Sequence, residues 1–147
     1  MCPAGENSAA MRLWKIIVII ILCSTALSKL LGLLHPALLL YQRDPVFGIP
    51  NYFIVGAATF VEFSLCVCIG FFFDDNPAAW SVFVFSMLLL AYRAIAAVHG
   101  VAYCPCLGNV VNWWPWLGRY ENPILTSVLV WLLMTSVFQL LWRNQPA

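Results

Sequence analysis

YFIVGAATFVEFSLCVCIGFFFDDNPAAWSVFVFSMLLLAYRAIAAV, residues 52–98, decides the architecture. Two apolar runs, Tyr52–Phe73 and Ala78–Val98, flank the polar link Asp74–Pro77. Roughly 20 apolar residues at 1.5 Å rise each cross the hydrocarbon of a bilayer, and each run reaches that length. A link this short sends the second run back alongside the first as a tight antiparallel hairpin. Backbone in lipid must satisfy its own hydrogen bonds, so both runs are predicted to be helical. Asn76-Pro77 reads as an N-cap followed by proline at the first helical position.

Working outward, Leu13–Leu34 supplies an earlier span that stops before His35-Pro36, and Ile124–Trp142 a later one. Asn122-Pro123 repeats the helix-start signal of Asn76-Pro77. The expected fold is an all-α, integral membrane four-helix bundle in one domain, 1–147, without internal repeats. Composition agrees: 63% of residues are hydrophobic, 9% are charged and the mean hydropathy is +0.90. An ordinary soluble domain carries about 25% charged residues, so a water-facing surface is excluded, as is disorder. A net charge of +1 argues against a nucleic-acid partner, which needs a basic patch or stripe. The partner is the lipid bilayer.

The two remaining links, His35–Asn51 and His99–Pro123, share one face of the bundle, and loops carry function more often than the scaffold does. Trp113, Trp114, Trp116 and Tyr120 in the last link read as an interfacial belt. Arg12, Lys15 and Arg143 on the terminal side against Arg43 and Arg119 on the loop side tilt the positive-inside rule toward cytoplasmic termini. Arg12 and Lys15, the apolar run and Ala26-Leu27-Ser28 have the form of a signal peptide, but the run is too long for one and continues through Leu30-Leu31.

Six cysteines are present: Cys2, Cys23, Cys66, Cys68, Cys104 and Cys106. Cys23, Cys66 and Cys68 fall within spans and read as small apolar fillers; Cys66 and Cys68, two apart on a helix, point about 200° apart. Cys104-Pro105-Cys106 differs, because it lies in the long loop after the third span. One intervening residue puts the pair near the outer limit for a disulfide, a Cα separation of about 6–7 Å, and strained disulfides are the labile, oxidising ones. The motif is thus open to redox exchange, to metal handling or to an inert structural role. A closed zinc site needs two more ligands, for which only His99 and His35 are near. Cys66 lies roughly 22 Å below the loop face, so neither loop cysteine pairs with it.

Lys29, Glu62 and Arg93 sit inside spans, where each charge costs on the order of 2.5–3.5 kcal/mol at the bilayer centre and calls for a partner. Lys29 is about five residues from the loop end of its span, Arg93 about six and Glu62 about eleven. Glu62 is therefore roughly 8 Å deeper than the cations, within reach of long side chains. A Lys29–Glu62–Arg93 cluster tying three helices together is expected, either as a plain clamp or as a support beneath the cysteine loop. In the latter case Arg93 and a protonated His99 favour a thiolate.

The lysine of SKL (Lys29), the glutamate of VEFSLCVCIG (Glu62), AYR (Arg93), then HG and CPCLG resemble the DoxX-like/MauE membrane family over nearly the whole chain. It looks closest to the methylamine-utilisation MauE branch. The resemblance implies a four-helix membrane bundle that forms or processes disulfides in an exported partner, such as an amine dehydrogenase subunit. It places the reactive pair on Cys104 and Cys106. Pro105 and Leu107 depart from the family's usual small residue and phenylalanine.

The expected function is membrane-embedded thiol–disulfide exchange at Cys104 and Cys106 on the extracytoplasmic face of a bacterial inner membrane. Electrons pass to or from a thioredoxin-like protein, an exported cysteine-containing substrate or a quinone held between helices. The alternatives are a soft-metal relay carrying Cu(I) or Hg(II) and a non-catalytic membrane assembly factor.

Overall fold

The computed structural model describes residues 6–34, 38–44, 46–99 and 115–143. They form α1 (Glu6–Leu34), the short α2 (Leu38–Tyr41), α3 (Asn51–Val67) running on into a π-helical turn (Cys68–Phe72), α4 (Asp75–Val98) and α5 (Pro115–Arg143). Four segments are long and apolar enough to cross a membrane: Ala9–Leu34, Asn51–Phe72, Asp75–Val98 and Pro123–Trp142. The chain is an all-α, four-helix integral membrane bundle. Only a minority of the residues in each span are buried, and the exposed remainder includes Ile20, Leu27, Phe60, Phe71, Leu88 and Leu141. So much exposed apolar surface on long helices suits a lipid bilayer.

Each helix turns a single stripe inward. On α1 it is Met11, Trp14, Val18, Leu22, Ala26 and Lys29; on α3 it is Asn51, Val55, Glu62 and Cys66, continued by Ile69. These three- and four-residue steps are the period of one helical face, so the two charged residues are buried because they occupy positions that must face a neighbour. On α4 the stripe of Ala78, Ala79, Val82, Phe85 and Ser86 is built largely of small side chains, which let helix backbones approach closely in a membrane. Leu129, Leu132 and Ser136 are its counterparts on α5.

Packing is pairwise: α1 lies along α3, and α4 along α5. The continuous core of Met11, Trp14, Val18, Leu22, Cys66, Ile69, Ala78, Ala79, Val82 and Phe85, with Leu132 of α5, occupies the half of the bundle nearer the α3–α4 hairpin. There the π turn closes with the Phe73 N–H donating to the Cys68 carbonyl at 2.7 Å. The Phe73 carbonyl in turn accepts Lys15 Nζ at 3.1 Å, and the same ammonium lies 2.8 Å from Asp75 Oδ1. One lysine near the start of α1 thus caps the end of α3 and pairs with the first turn of α4, where an acid also suits the helix dipole.

Two expected helix starts are displaced. α4 begins at Asp75 rather than after Asn76-Pro77, with its first turn closed by the Ala78 N–H donating to the Asp74 carbonyl at 3.1 Å. Pro77 falls in that first turn, where its missing N–H would have had no intrahelical partner anyway, and the link shrinks to Phe73–Asp74. α5 begins at Pro115, and Pro123 lies inside the helix instead of opening it. Trp116 and Tyr120 are consequently helical, not loop, residues. Pro115 offers the same φ preference about two turns upstream, and prolines are tolerated in membrane helices when neighbours satisfy the freed carbonyl.

Lys15→Met is expected to cost about 0.5–1 kcal/mol, the range of a half-exposed pair. Hydrogen–deuterium exchange should accelerate at residues 71–76 and remain unchanged near Lys29.

Candidate functional site

The loop-side half of the bundle is not filled. A cavity of about 520 Å³ lies between the two helix pairs, walled by Leu22, Val55, Ala58, Leu89, Val128 and Leu132 among other apolar residues. Its polar lining is Thr25, Lys29, Asn51, Glu62, Tyr92 and Arg93. Few polar groups in a mostly apolar concavity is the usual make-up of a small-molecule site.

Within this wall, Lys29 of α1 forms a salt bridge with Glu62 of α3, and both side chains are more than 90% buried. The second carboxylate oxygen accepts a hydrogen bond from Thr25 Oγ1 at 3.3 Å, and Thr25 also donates to the Leu22 carbonyl at 3.0 Å. Thr25 and Lys29 are one turn apart, so a single face of α1 brings both donors to Glu62. In a low-dielectric surrounding, breaking such a pair leaves an uncompensated charge and costs about 3–5 kcal/mol.

The cavity's loop-side edge is closed by residues 42–51. Asp44 is 2% exposed, and its Oδ1 accepts the backbone N–H groups of Val46 at 2.8 Å and Phe47 at 2.9 Å. Its carbonyl accepts the Gly48 N–H at 2.7 Å, and its own N–H donates to the Ile49 carbonyl at 2.7 Å. Gly48 adopts φ 69°, the left-handed region where a side chain is disfavoured. The remaining carboxylate oxygen accepts a hydrogen bond from Tyr92 Oη of α4. The Tyr92 ring stacks on Phe47 with centroids 6.0 Å apart and planes 5° from parallel. Phe47 and Ile49 form part of the cavity wall, so Tyr92 latches a lid onto the bundle.

Of the residues expected to act, Lys29 and Glu62 meet directly, and Arg93 lines the same cavity from α4. His99 is exposed at the C-cap of α4, its N–H donating to the Ile95 carbonyl at 3.1 Å, and is absent from the cavity wall. Cys104 and Cys106 lie outside the described residues. Cys66 is in the core, its thiol 3.8 Å from the Ile19 carbonyl, and Cys23 packs against that core, as apolar fillers should. Asp44, Tyr92, Thr25 and Asn51 did not stand out from spacing alone. The Asp44-Pro45-x-x-Gly48 pattern is a turn signature that could have marked Asp44, but nothing local links it to Tyr92 across 48 residues.

No family model matches the chain, and neither a curated protein nor a solved structure is significantly similar to it.

Tyr92→Phe keeps the ring stack and deletes the hydrogen bond to a buried carboxylate, a loss of about 1.5–3 kcal/mol. The expected readout is faster proteolytic cleavage and amide exchange within residues 42–50, with α1 and α3 unaffected.

Proposed function

We propose that the chain is a membrane-embedded thiol–disulfide exchange protein of the DoxX-like/MauE type, with Cys104 and Cys106 as the exchanging pair. It sits in a bacterial inner membrane with its termini in the cytoplasm and the cysteine loop on the other side. The thiolate of one cysteine attacks a disulfide of a thioredoxin-like partner, forming a mixed disulfide and releasing one partner sulfur as a thiol. The second cysteine then attacks the first, releasing the other partner sulfur. The pair loses two electrons and two protons, which the partner's two sulfurs gain. Run in the opposite sense, the same two bond exchanges oxidise a cysteine pair in an exported substrate.

The observation that supports this reading is the motif's position in the sequence, just after α4. The motif begins five residues after His99, the C-cap of a helix whose last turns supply Tyr92 and Arg93 to a polar-headed cavity. Lys29, Glu62, Tyr92 and Arg93 line this cavity, while the hairpin end holds the packed core and the Lys15–Asp75 pair. Cations near a thiol favour its reactive thiolate form, and Arg93 and His99 are the basic residues of that stretch of α4.

Cys104→Ser and Cys106→Ser are each expected to abolish oxidation or reduction of the partner in inverted or right-side-out membrane vesicles. Cys106→Ala should hold its partner as a mixed disulfide, visible as a reductant-sensitive band on a non-reducing gel, if Cys104 attacks; Cys104→Ala covers the reverse assignment. Full exchange activity in both serine variants would contradict the proposal and favour the assembly-factor alternative.

A further inference from the structure

We infer that the cavity binds a membrane-soluble molecule with an apolar tail and a planar, uncharged carbonyl head, the head's oxygen accepting a hydrogen bond from Lys29 Nζ. Four observations carry this. The volume of about 520 Å³ lies inside the range of about 300–1,000 Å³ typical of small-molecule sites. An ammonium has three donors, and among the described residues Glu62 is the only hydrogen-bond partner of Lys29. A buried donor gains from an acceptor, and Lys29 is part of the cavity wall.

The charge balance then selects the head. Lys29 and Glu62 compensate each other, and Arg93 in the same wall has an interaction of its own; a neutral acceptor at the ammonium keeps the pair balanced in low dielectric, whereas a carboxylate there would sit beside the carboxylate of Glu62. Phe47, Phe53, Phe85 and Tyr92 in the wall offer ring faces and edges to a flat conjugated head. Finally, a shallow groove between α3 and α4, lined by Leu65, Trp80 and Val84, shares Val61, Phe85 and Leu88 with the cavity. Val61 and Leu88 are 44% and 65% exposed on the lipid-facing side. The groove is a lateral portal, and a molecule using it arrives from the bilayer.

A quinone has this chemistry. As the electron acceptor for the exchange proposed above it would take two electrons and two protons from the Cys104/Cys106 dithiol, becoming a hydroquinone as the disulfide forms. That step rests on the exchange reading; the binding does not.

Binding is therefore tested on the full chain carrying Cys104→Ser and Cys106→Ser, in lipid nanodiscs, with a fully ring-substituted benzoquinone bearing a decyl chain and a photoreactive azido group. Labelling should be saturable, map to peptides of the cavity wall, and be displaced by the non-photoreactive quinone but not by decanoate. Lys29→Met should cut labelling by about tenfold or more. Leu125→Trp, which fills the cavity from α5 and leaves the ion pair intact, should do the same if Lys29→Met fails to fold. Labelling that is not saturable, that survives Leu125→Trp, or that decanoate displaces as well as the quinone does would overturn the inference. Binding retained alongside inactive cysteines in the exchange assay would leave the site standing and remove its redox role.

Discussion

The structure depends on one constraint: a cation and an anion inside lipid must find each other. Lys29 and Glu62 lie on different helices and both are buried, so pairing them holds α1 and α3 in antiparallel contact at a fixed register. A one-step slip of α1 along α3 would separate the charges and rotate Val18 and Leu22 out of the core at the same time. Hydrophobicity alone cannot fix that register, because lipid tails solvate leucine as well as another helix does. Polar contacts and close packing of small residues do so instead.

The constraint also accounts for the bundle's asymmetry. Near the hairpin, α1, α3 and α4 are joined by Lys15 and by interlocking side chains from Met11 to Val82, and little space is left. Toward the loops, the ion pair holds α1 on α3 while α4 packs on α5, and the two helix pairs leave a cavity between them. Residues 42–51 cover its edge, fastened through Asp44 to Tyr92. The bundle is packed at one end and hollow at the other, and the hollow end is the one at which α4 finishes.

Much of this was legible in the sequence, and the reasons are physical. Four runs of bilayer-spanning length can only be helices in lipid, so the fold followed from hydropathy. Lys29 and Glu62 were identifiable because charge within a span demands a partner, and their depths differ by no more than their side chains can cover. Helix starts were less legible: Asn76-Pro77 and Asn122-Pro123 each look like a start, yet Asp75 and Pro115 open the helices, since proline is also accommodated in a first turn or within a membrane helix. The Asp44–Tyr92 latch, the role of Lys15 and the cavity itself depend on contacts between residues distant in sequence, and no local pattern encodes those. The segment carrying Cys104 and Cys106 was conspicuous for its chemistry rather than for any periodicity.

The most direct test of the account is a double-mutant cycle at the ion pair, read as unfolding free energy of the full chain in bicelles. Lys29→Met and Glu62→Gln should each destabilise by about 3–5 kcal/mol. The double variant should cost well under the sum of the two, because removing both partners leaves no stranded charge. Additive losses, or single substitutions that change stability by less than about 0.5 kcal/mol as an ordinary surface change does, would contradict the claim that this pair sets the architecture.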